Sequence, residues 1–223
     1  MKVLLPESVE EAVSLLGQGV VVAGGTHAVP RLEPTDSIIS LRHAGLSGVS
    51  QDGGRIRVGA TTTLTELARE VDFLREAVHS IASPTIRNLA TVGGNLFVPQ
   101  PHGDLAVCLL ALDAEIEREG DLVTGVSFNV PERWFYRKAM RRKQNSASIV
   151  TVASDGVRLA LGGVAPEPVR AHAAEAKLAE GDIDGAAEAA VEAADPFDDA
   201  YASAWYRRRV LPVHVRRAFN HAV

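Results

Sequence analysis

The sequence predicts an α+β chain of two units, divided into residues 1–130 and 131–223. Short β-branched runs stand beside segments whose apolar residues recur at helical spacing, so neither element type accounts for the whole. Charge divides as well. Residues 1–130 hold 9 Lys and Arg against 16 Asp and Glu, and residues 131–223 hold 14 against 12. At 223 residues the chain is long enough for one large domain or two modest ones with a core. A third observation points to function: two glycine pairs, Gly24-Gly25 and Gly93-Gly94, each follow a β-branched segment.

Ser8-Val9-Glu10-Glu11 has capping-box spacing and opens a helix with Ala12, Val13, Leu15 and Leu16 on its apolar face. Gly17-Gln18-Gly19 ends it. Residues 20–23 are a short strand that delivers Gly24-Gly25-Thr26-His27. Backbone N–H groups at such a turn can face an anion. The lysine of a P-loop is missing, and so is Gly-x-Gly-x-x-Gly. By itself a glycine pair after a strand is usually only a turn. His27 reads as a hydrogen-bond donor or a bystander. Residues 37–41 form a strand, and Asp52-Gly53-Gly54 is a hairpin signal before the strand at 55–60. Thr63-x-x-Glu66 caps a helix through Leu67, Ala68 and Val71.

The central stretch, residues 81–116, is the most informative. Ser83-Pro84 starts an extended segment or a first helical turn. Thr91-Val92 runs into Gly93-Gly94-Asn95, where missing Cβ atoms permit a sharp turn and expose N–H groups to a guest. Gly103-Asp104 opens an apolar run to Leu112 that reads as a buried helix, with the carboxylate favoured at its start. Cys108, the one cysteine, lies within that run as core filler and can supply neither a disulfide nor an iron–sulfur cluster.

From Trp134 the second unit begins. Residues 148–153 and 157–164 are two strands around Ser154-Asp155-Gly156, with Gly162-Gly163 a bulge or a close packing point. Residues 171–179 and 183–194 are alanine-rich helices. Residues 201–222 form a basic terminal helix that Pro212 should divide. The clusters at 137–143 and 207–209 are short and mixed, and with the acidic first half they argue against nucleic acid. No apolar run approaches membrane-spanning length, and the acidic residues after Pro6 differ from a signal peptide, so a cytoplasmic location is expected.

Ser83-Pro84-x-Ile86-Arg87-Asn88, Ala90-Thr91-x-Gly93-Gly94-Asn95 and Gly103-Asp104-Leu105 with Leu109–Glu115 resemble the FAD-binding medium subunit of the molybdenum hydroxylases. That family includes xanthine dehydrogenases and aerobic carbon monoxide dehydrogenases. The resemblance implies a two-loop FAD-binding domain of the vanillyl-alcohol-oxidase-like type, followed by a smaller α+β domain with an antiparallel sheet. It makes Val22, Ala23, Gly24, Gly25, Thr26 and His27 the first cofactor loop, and Thr91, Val92, Gly93, Gly94 and Asn95 the second. It adds Thr61 or Thr62, Asp104, Leu122, and the pair Tyr136 and Lys138 in a Tyr-x-Lys-x-x-Arg-Arg segment. Arg87 and Asn88 can serve a phosphate or only a surface pair.

Three departures from the family pattern stand out. Leu64 replaces a common histidine, His102 stands where relatives carry small residues, and a polar loop with an aromatic pair is largely absent after Glu117. The expected function is electron transfer: an FAD subunit takes electrons from an iron–sulfur subunit, beside a molybdopterin subunit, and passes them to NAD or another acceptor. A stand-alone flavin oxidoreductase and a flavin-free assembly module are the alternatives. No residue is marked as a catalyst or a metal ligand.

Overall fold

The computed structural model describes residues 2–142 and 146–220. Two compact units share the chain. The first takes Met1–Arg75, Ser83–Val98 and Ala114–Val130; the second takes Glu76–Ala82, Pro99–Asp113 and Pro131–Val223. The second unit thus includes two segments that lie before residue 130, the helix at Asp104 among them.

The first unit opens with β1 (Lys2–Leu4), α1 (Val9–Ser14), β2 (Val20–Val22) and β3 (Ser37–Ser40), and the strands form a parallel sheet in the order β1-β3-β2. Ser8 caps α1 by accepting from the Glu11 N–H, but the Glu11 carboxylate turns back to the N–H of Glu7, one residue before the expected partner. The box is therefore offset. Ala12 packs with Leu41, Ala44, Leu46 and Leu122 in one apolar cluster.

Next come β4 (Val49–Asp52) and β5 (Arg55–Gly59), joined by Gly53-Gly54 at φ 54° and 85°, the two positive values that a type I′ turn needs. α2 (Leu64–Glu70) carries the complete capping box that Thr63 and Glu66 announce. After α3 (Arg75–His79), most of which belongs to the second unit, α4 (Pro84–Arg87) has Ser83 as N-cap and Pro84 in its first turn. α5 is Val92–Leu96 and α6, in the second unit, is Asp104–Ala111. β6 (Glu115–Glu119) and β7 (Leu122–Asn129) complete an antiparallel sheet in the order β4-β5-β7-β6. Ile56, Val58, Val126 and Phe128 point into its core, and Phe73 meets Phe128 edge-on at 6.2 Å.

In the second unit, β8 (Phe135–Ala139), β9 (Val150–Ser154), β10 (Leu159–Gly162) and β11 (Val169–Arg170) form an antiparallel sheet in the order β11-β10-β9-β8. Gly162 is a close packing point: a Cβ there would lie 2.5 Å from Val107 Cγ2. α7 (His172–Ala179), α8 (Ile183–Ala189) and α9 (Ala204–Asn220) pack with this sheet around one core. α9 stays unbroken through Pro212, against expectation. Leu211, Val215 and Ala218 are buried on one face, so packing on both sides of the proline holds the helix together despite the lost N–H. Residues 221–222 of the expected helix, and Lys143 of the basic cluster, lie outside the described residues. No helix among the described residues is long and apolar enough to cross a membrane.

Arg207 on α9 is fully buried. Its guanidinium donates to the carbonyls of Ser148, Ile149 and Gly163, pairs with Asp199 at 2.6 Å, and lies over the Phe197 ring. Arg207→Ala would leave that carboxylate and three buried carbonyls without their donor. We expect about 3–5 kcal/mol of lost stability, the usual cost of breaking a buried pair, read from urea unfolding midpoints. His214 supplies a pH test. Burial, helped by Arg217 and Arg137, pulls its imidazole down to about 4. An unfolded chain protonates this histidine near pH 6.5, so the unfolded state binds more protons between those values and stability falls as pH drops through that window. His214→Gln should shrink the difference between unfolding midpoints at pH 7 and pH 5.

Candidate functional site

β2 and β3 are adjacent and parallel, so both carboxyl ends lie on one edge of the sheet, where open parallel sheets hold ligands. β2 leads into Ala23–His27, and β3 leads into Leu41-Arg42-His43. The first loop is set by backbone packed against backbone. A Cβ on Gly24 would lie 1.7 Å from the Leu89 carbonyl oxygen, so no other residue fits without moving the chain. Gly25 adopts φ 73°, and a Cβ there would sit 2.9 Å from Val29 Cγ2. The N–H groups of Gly24, Gly25 and Thr26 find no acceptor among the described residues, which leaves them for an anion.

The second glycine pair works differently from expectation. Thr91 caps α5 and accepts the Gly94 N–H on its hydroxyl at 3.2 Å, while the Gly93 N–H goes to the Ala60 carbonyl at 2.8 Å. Both donors are thus spent inside the unit. Gly93 is needed for approach, since a Cβ would come within 2.8 Å of the Ala60 Cβ. Gly94 is needed for space, because it borders two cavities at once.

Three cavities meet at Ala23. One of about 140 Å³ is walled by Val21–Ala28, Thr91, Gly94, Asn95 and Phe97. A second, about 310 Å³ and mostly apolar, is walled by Leu16, Val21, Leu41, Ala60, Gly93, Gly94, Phe97 and Asp121–Val123. The third, about 750 Å³, has Gly24, Ser40, Arg42, His43, Thr61, Thr63, Glu66, Asn88 and Thr91 on its walls. The structure therefore gathers Val22, Ala23, Gly24, Gly25, Thr26, His27, Thr61, Thr91, Gly93, Gly94, Asn95 and Leu122 around neighbouring spaces.

Thr62 and Val92 line none of these cavities. Thr62 is 1% exposed, and its hydroxyl is tied to both the N–H and the carbonyl of Gly48. Val92 is buried in the core. Arg42 and Phe97 are among the wall residues that the sequence did not mark as site residues. Arg42 could have been found from its place just after a strand parallel to β2. Phe97 had only its position after the glycine pair to mark it.

The other three candidates come together in the second unit. Asp104 accepts from Lys138 at 2.8 Å, from Thr151 at 2.6 Å and from Ser148; Lys138 also donates to the Ser80 carbonyl at 2.9 Å. The Tyr136 hydroxyl meets the Ser80 hydroxyl at 2.8 Å. The Lys138 and Asp104 side chains are only 3% and 1% exposed, so each charge is matched where water cannot reach it. Burial, with the Asp104 charge behind it, pushes the Tyr136 phenol well above its usual range, so it stays protonated. Burial likewise raises Cys108 and leaves its thiol inert.

Residues 1–152 match the family described as FAD binding domain in molybdopterin dehydrogenase, and residues 134–222 match the CO dehydrogenase flavoprotein C-terminal domain. The chain belongs to this flavoprotein family. FAD is its cofactor, and it is an oxidoreductase subunit. The 6-hydroxypseudooxynicotine dehydrogenase complex subunit alpha of Paenarthrobacter nicotinovorans is 30% identical, covering 99% of this chain and 93% of its own length. The uncharacterized protein YgfM of Escherichia coli K12 is 32% identical over 94% of this chain and 92% of its own. The cyanide-inactivated Cu,Mo-CO dehydrogenase superposes with a TM-score of 0.88 at 25% identity, covering 100% of this chain and 97% of that one.

The residues present fit the flavoprotein cofactor. A diphosphate needs donors, and the first loop offers three free N–H groups with Arg42 in an adjoining wall. Asn95 Oδ1 is buried without a protein partner on the wall of the 140 Å³ cavity, placed to accept from a ribityl or ribose hydroxyl. Gly25→Val would add a side chain at positive φ against Val29, a cost of more than about 1 kcal/mol, and block the loop. The purified variant should keep its far-UV circular dichroism and lose the visible flavin absorbance of the parent protein.

Proposed function

We propose that this chain is the electron-transfer subunit of a cytoplasmic molybdenum hydroxylase complex, taking electrons from an iron–sulfur subunit and passing them to NAD or another acceptor. The observation that carries this reading is the glycine-built cavity system at the carboxyl edge of β2 and β3, in a chain whose two halves match the two domains of such flavoproteins. FAD, when bound, supplies the capacity to hold two electrons and release them singly or as a pair.

The chain's own part is binding and orientation. Gly24, Gly25 and Thr26 turn N–H groups toward the diphosphate, and Gly94 leaves room beside them. Asn95 receives a hydroxyl. Asp104, on the resemblance of the Gly-Asp-Leu segment, and Tyr136 and Lys138, on that of the Tyr-x-Lys segment, are proposed cofactor residues, and Thr62 and Val92 then act by holding the second loop in place. A partner must provide the metal centres, since Cys108, the only cysteine, is buried and cannot ligate a cluster. The exposed Arg141 and Arg142 suit an acidic partner surface, where charge steers encounter more than it adds affinity.

Affinity purification from the native host should recover an iron–sulfur chain and a molybdopterin chain with this one, and the eluate should show flavin and iron–sulfur absorbance together. Recovery of the chain alone, loaded with FAD and turning over a small substrate, would favour a stand-alone oxidoreductase. A colourless chain with partners would favour an assembly role.

A further inference from the structure

We propose that Arg137, His214 and Arg217 form a site for a doubly charged oxyanion of the phosphate class, in the second unit where β8 meets α9. β8 is the last strand of its sheet. Side chains alternate along a strand. Tyr136 and Lys138 turn toward Ser80 and Asp104, which sends Phe135, Arg137 and Ala139 to the α9 side. Two contacts agree with that direction. The Phe135 and Phe219 rings lie 4.7 Å apart, and Ala139 shares a core with Leu211, Val215 and Ala218. On α9, His214 and Arg217 are three residues apart and so neighbours on the helix surface. Both arginines lie close enough to His214 to act on its charge.

The cluster is positive, and no carboxylate among the described residues balances it. Neither α9 nor β8 contains an aspartate or a glutamate. β9, which also packs on α9, is uncharged, and the α8 carboxylates that reach α9, Asp184 and Glu188, go to Arg216 instead. Arg137 Nε and His214 Nδ1 are both buried without a hydrogen-bond partner. Buried polar atoms of this kind are rare unless something outside the chain satisfies them. A guanidinium can only donate, so the guest must bring acceptors, and two cations demand that it be an anion. Charge then selects the class. Burial, with Arg217 and Arg137, holds the imidazole down to about 4, so at pH 7 the two guanidiniums carry the site's charge. A dianion matches both, whereas a single carboxylate leaves one unmatched. A tetrahedral phosphate also presents enough oxygens to accept from the guanidinium forks and the imidazole together. Once bound, it would draw the histidine back toward its ordinary range, so binding and protonation reinforce one another. The site is independent of the flavin reading, because Arg137 faces away from Tyr136 and Lys138.

The test uses the full chain at constant ionic strength, with sulfate, inorganic phosphate, glycerol phosphate and acetate as probes. Calorimetry reads affinity, and the histidine ring-proton resonances, assigned with His214→Gln, read protonation. At pH 7 sulfate and phosphate should bind and acetate should not. Tighter binding of glycerol phosphate than of inorganic phosphate would identify a phosphate ester as the source, and the reverse would identify the free ion. Arg217→Gln alters an exposed side chain, so it should fold as the parent does. It should bind sulfate about tenfold more weakly, as loss of one charge-assisted hydrogen bond implies. Arg209→Gln, beside Trp205 on the same helix, should leave binding unchanged. Saturating sulfate should move the His214 titration upward. Sulfate keeps its charge between pH 5 and pH 7, so it should bind on the order of tenfold more tightly at pH 5, by linkage. His214→Gln should abolish that difference. A parent chain that binds neither sulfate nor phosphate, acetate binding as tightly as sulfate, or equal losses in Arg209→Gln and Arg217→Gln would each overturn the site, and none of them bears on flavin content.

Discussion

The Gly24 backbone lies so close to the Leu89 carbonyl that the site depends on this one contact. It sets the loop after β2 against the segment that leads into Thr91, and hydrogen bonds fix that segment in turn. Ala90 accepts from Leu64, Val92 donates to Thr62, and Gly93 donates to Ala60. With the second loop held this way, Gly94 and Asn95 come to lie opposite Gly25 and Thr26 around one small cavity. A bulkier residue at position 24 would push the two segments apart and dissolve the wall they share.

The electrostatics follow from the same construction. The first unit is acidic, yet its cofactor carries a diphosphate. In the proposed reading, backbone N–H groups would meet that charge with fixed dipoles whose orientation is set by packing, so the loops themselves would need no lysine or arginine. The second glycine pair shows that this is not a general property of glycine turns. Its N–H groups stabilise α5 and its junction with Ala60, and what it contributes is empty volume.

The second unit relies on buried charge. Asp104 and Lys138 neutralise one another with Ser148, Thr151 and the Ser80 carbonyl filling their remaining hydrogen-bonding capacity. Arg207 holds Ser148 and Ile149 by their carbonyls, so the terminal helix supports the strand segment that supports Asp104. Such a network is costly to break and gives these side chains single orientations. The hairpin of the first unit marks another economy. The relative from Paenarthrobacter aligns over 278 positions, whereas this chain has 223 residues, so the relative carries insertions that this chain lacks. The direct turn at Gly120-Asp121 is where the polar loop was found missing from the sequence.

Local chemistry determined much of this protein before any contact was formed. The caps at Ser8, Thr63 and Ser83, the Gly53-Gly54 hairpin, the apolar helix after Asp104 and both glycine pairs depend on neighbours within a few residues, and sequence records such neighbours directly. The resemblance carried by residues 83–115 added the cofactor class. Tertiary structure decided what each glycine does, because close approach at Gly24 and Gly93 comes from residues more than thirty positions away that no local pattern reveals. It also kept α9 continuous through Pro212, set Thr62 to holding Gly48, and put Arg42 and Phe97 into cavity walls. Periodicity and propensity act along the chain, whereas donors, voids and buried charges are settled by which distant segments pack together.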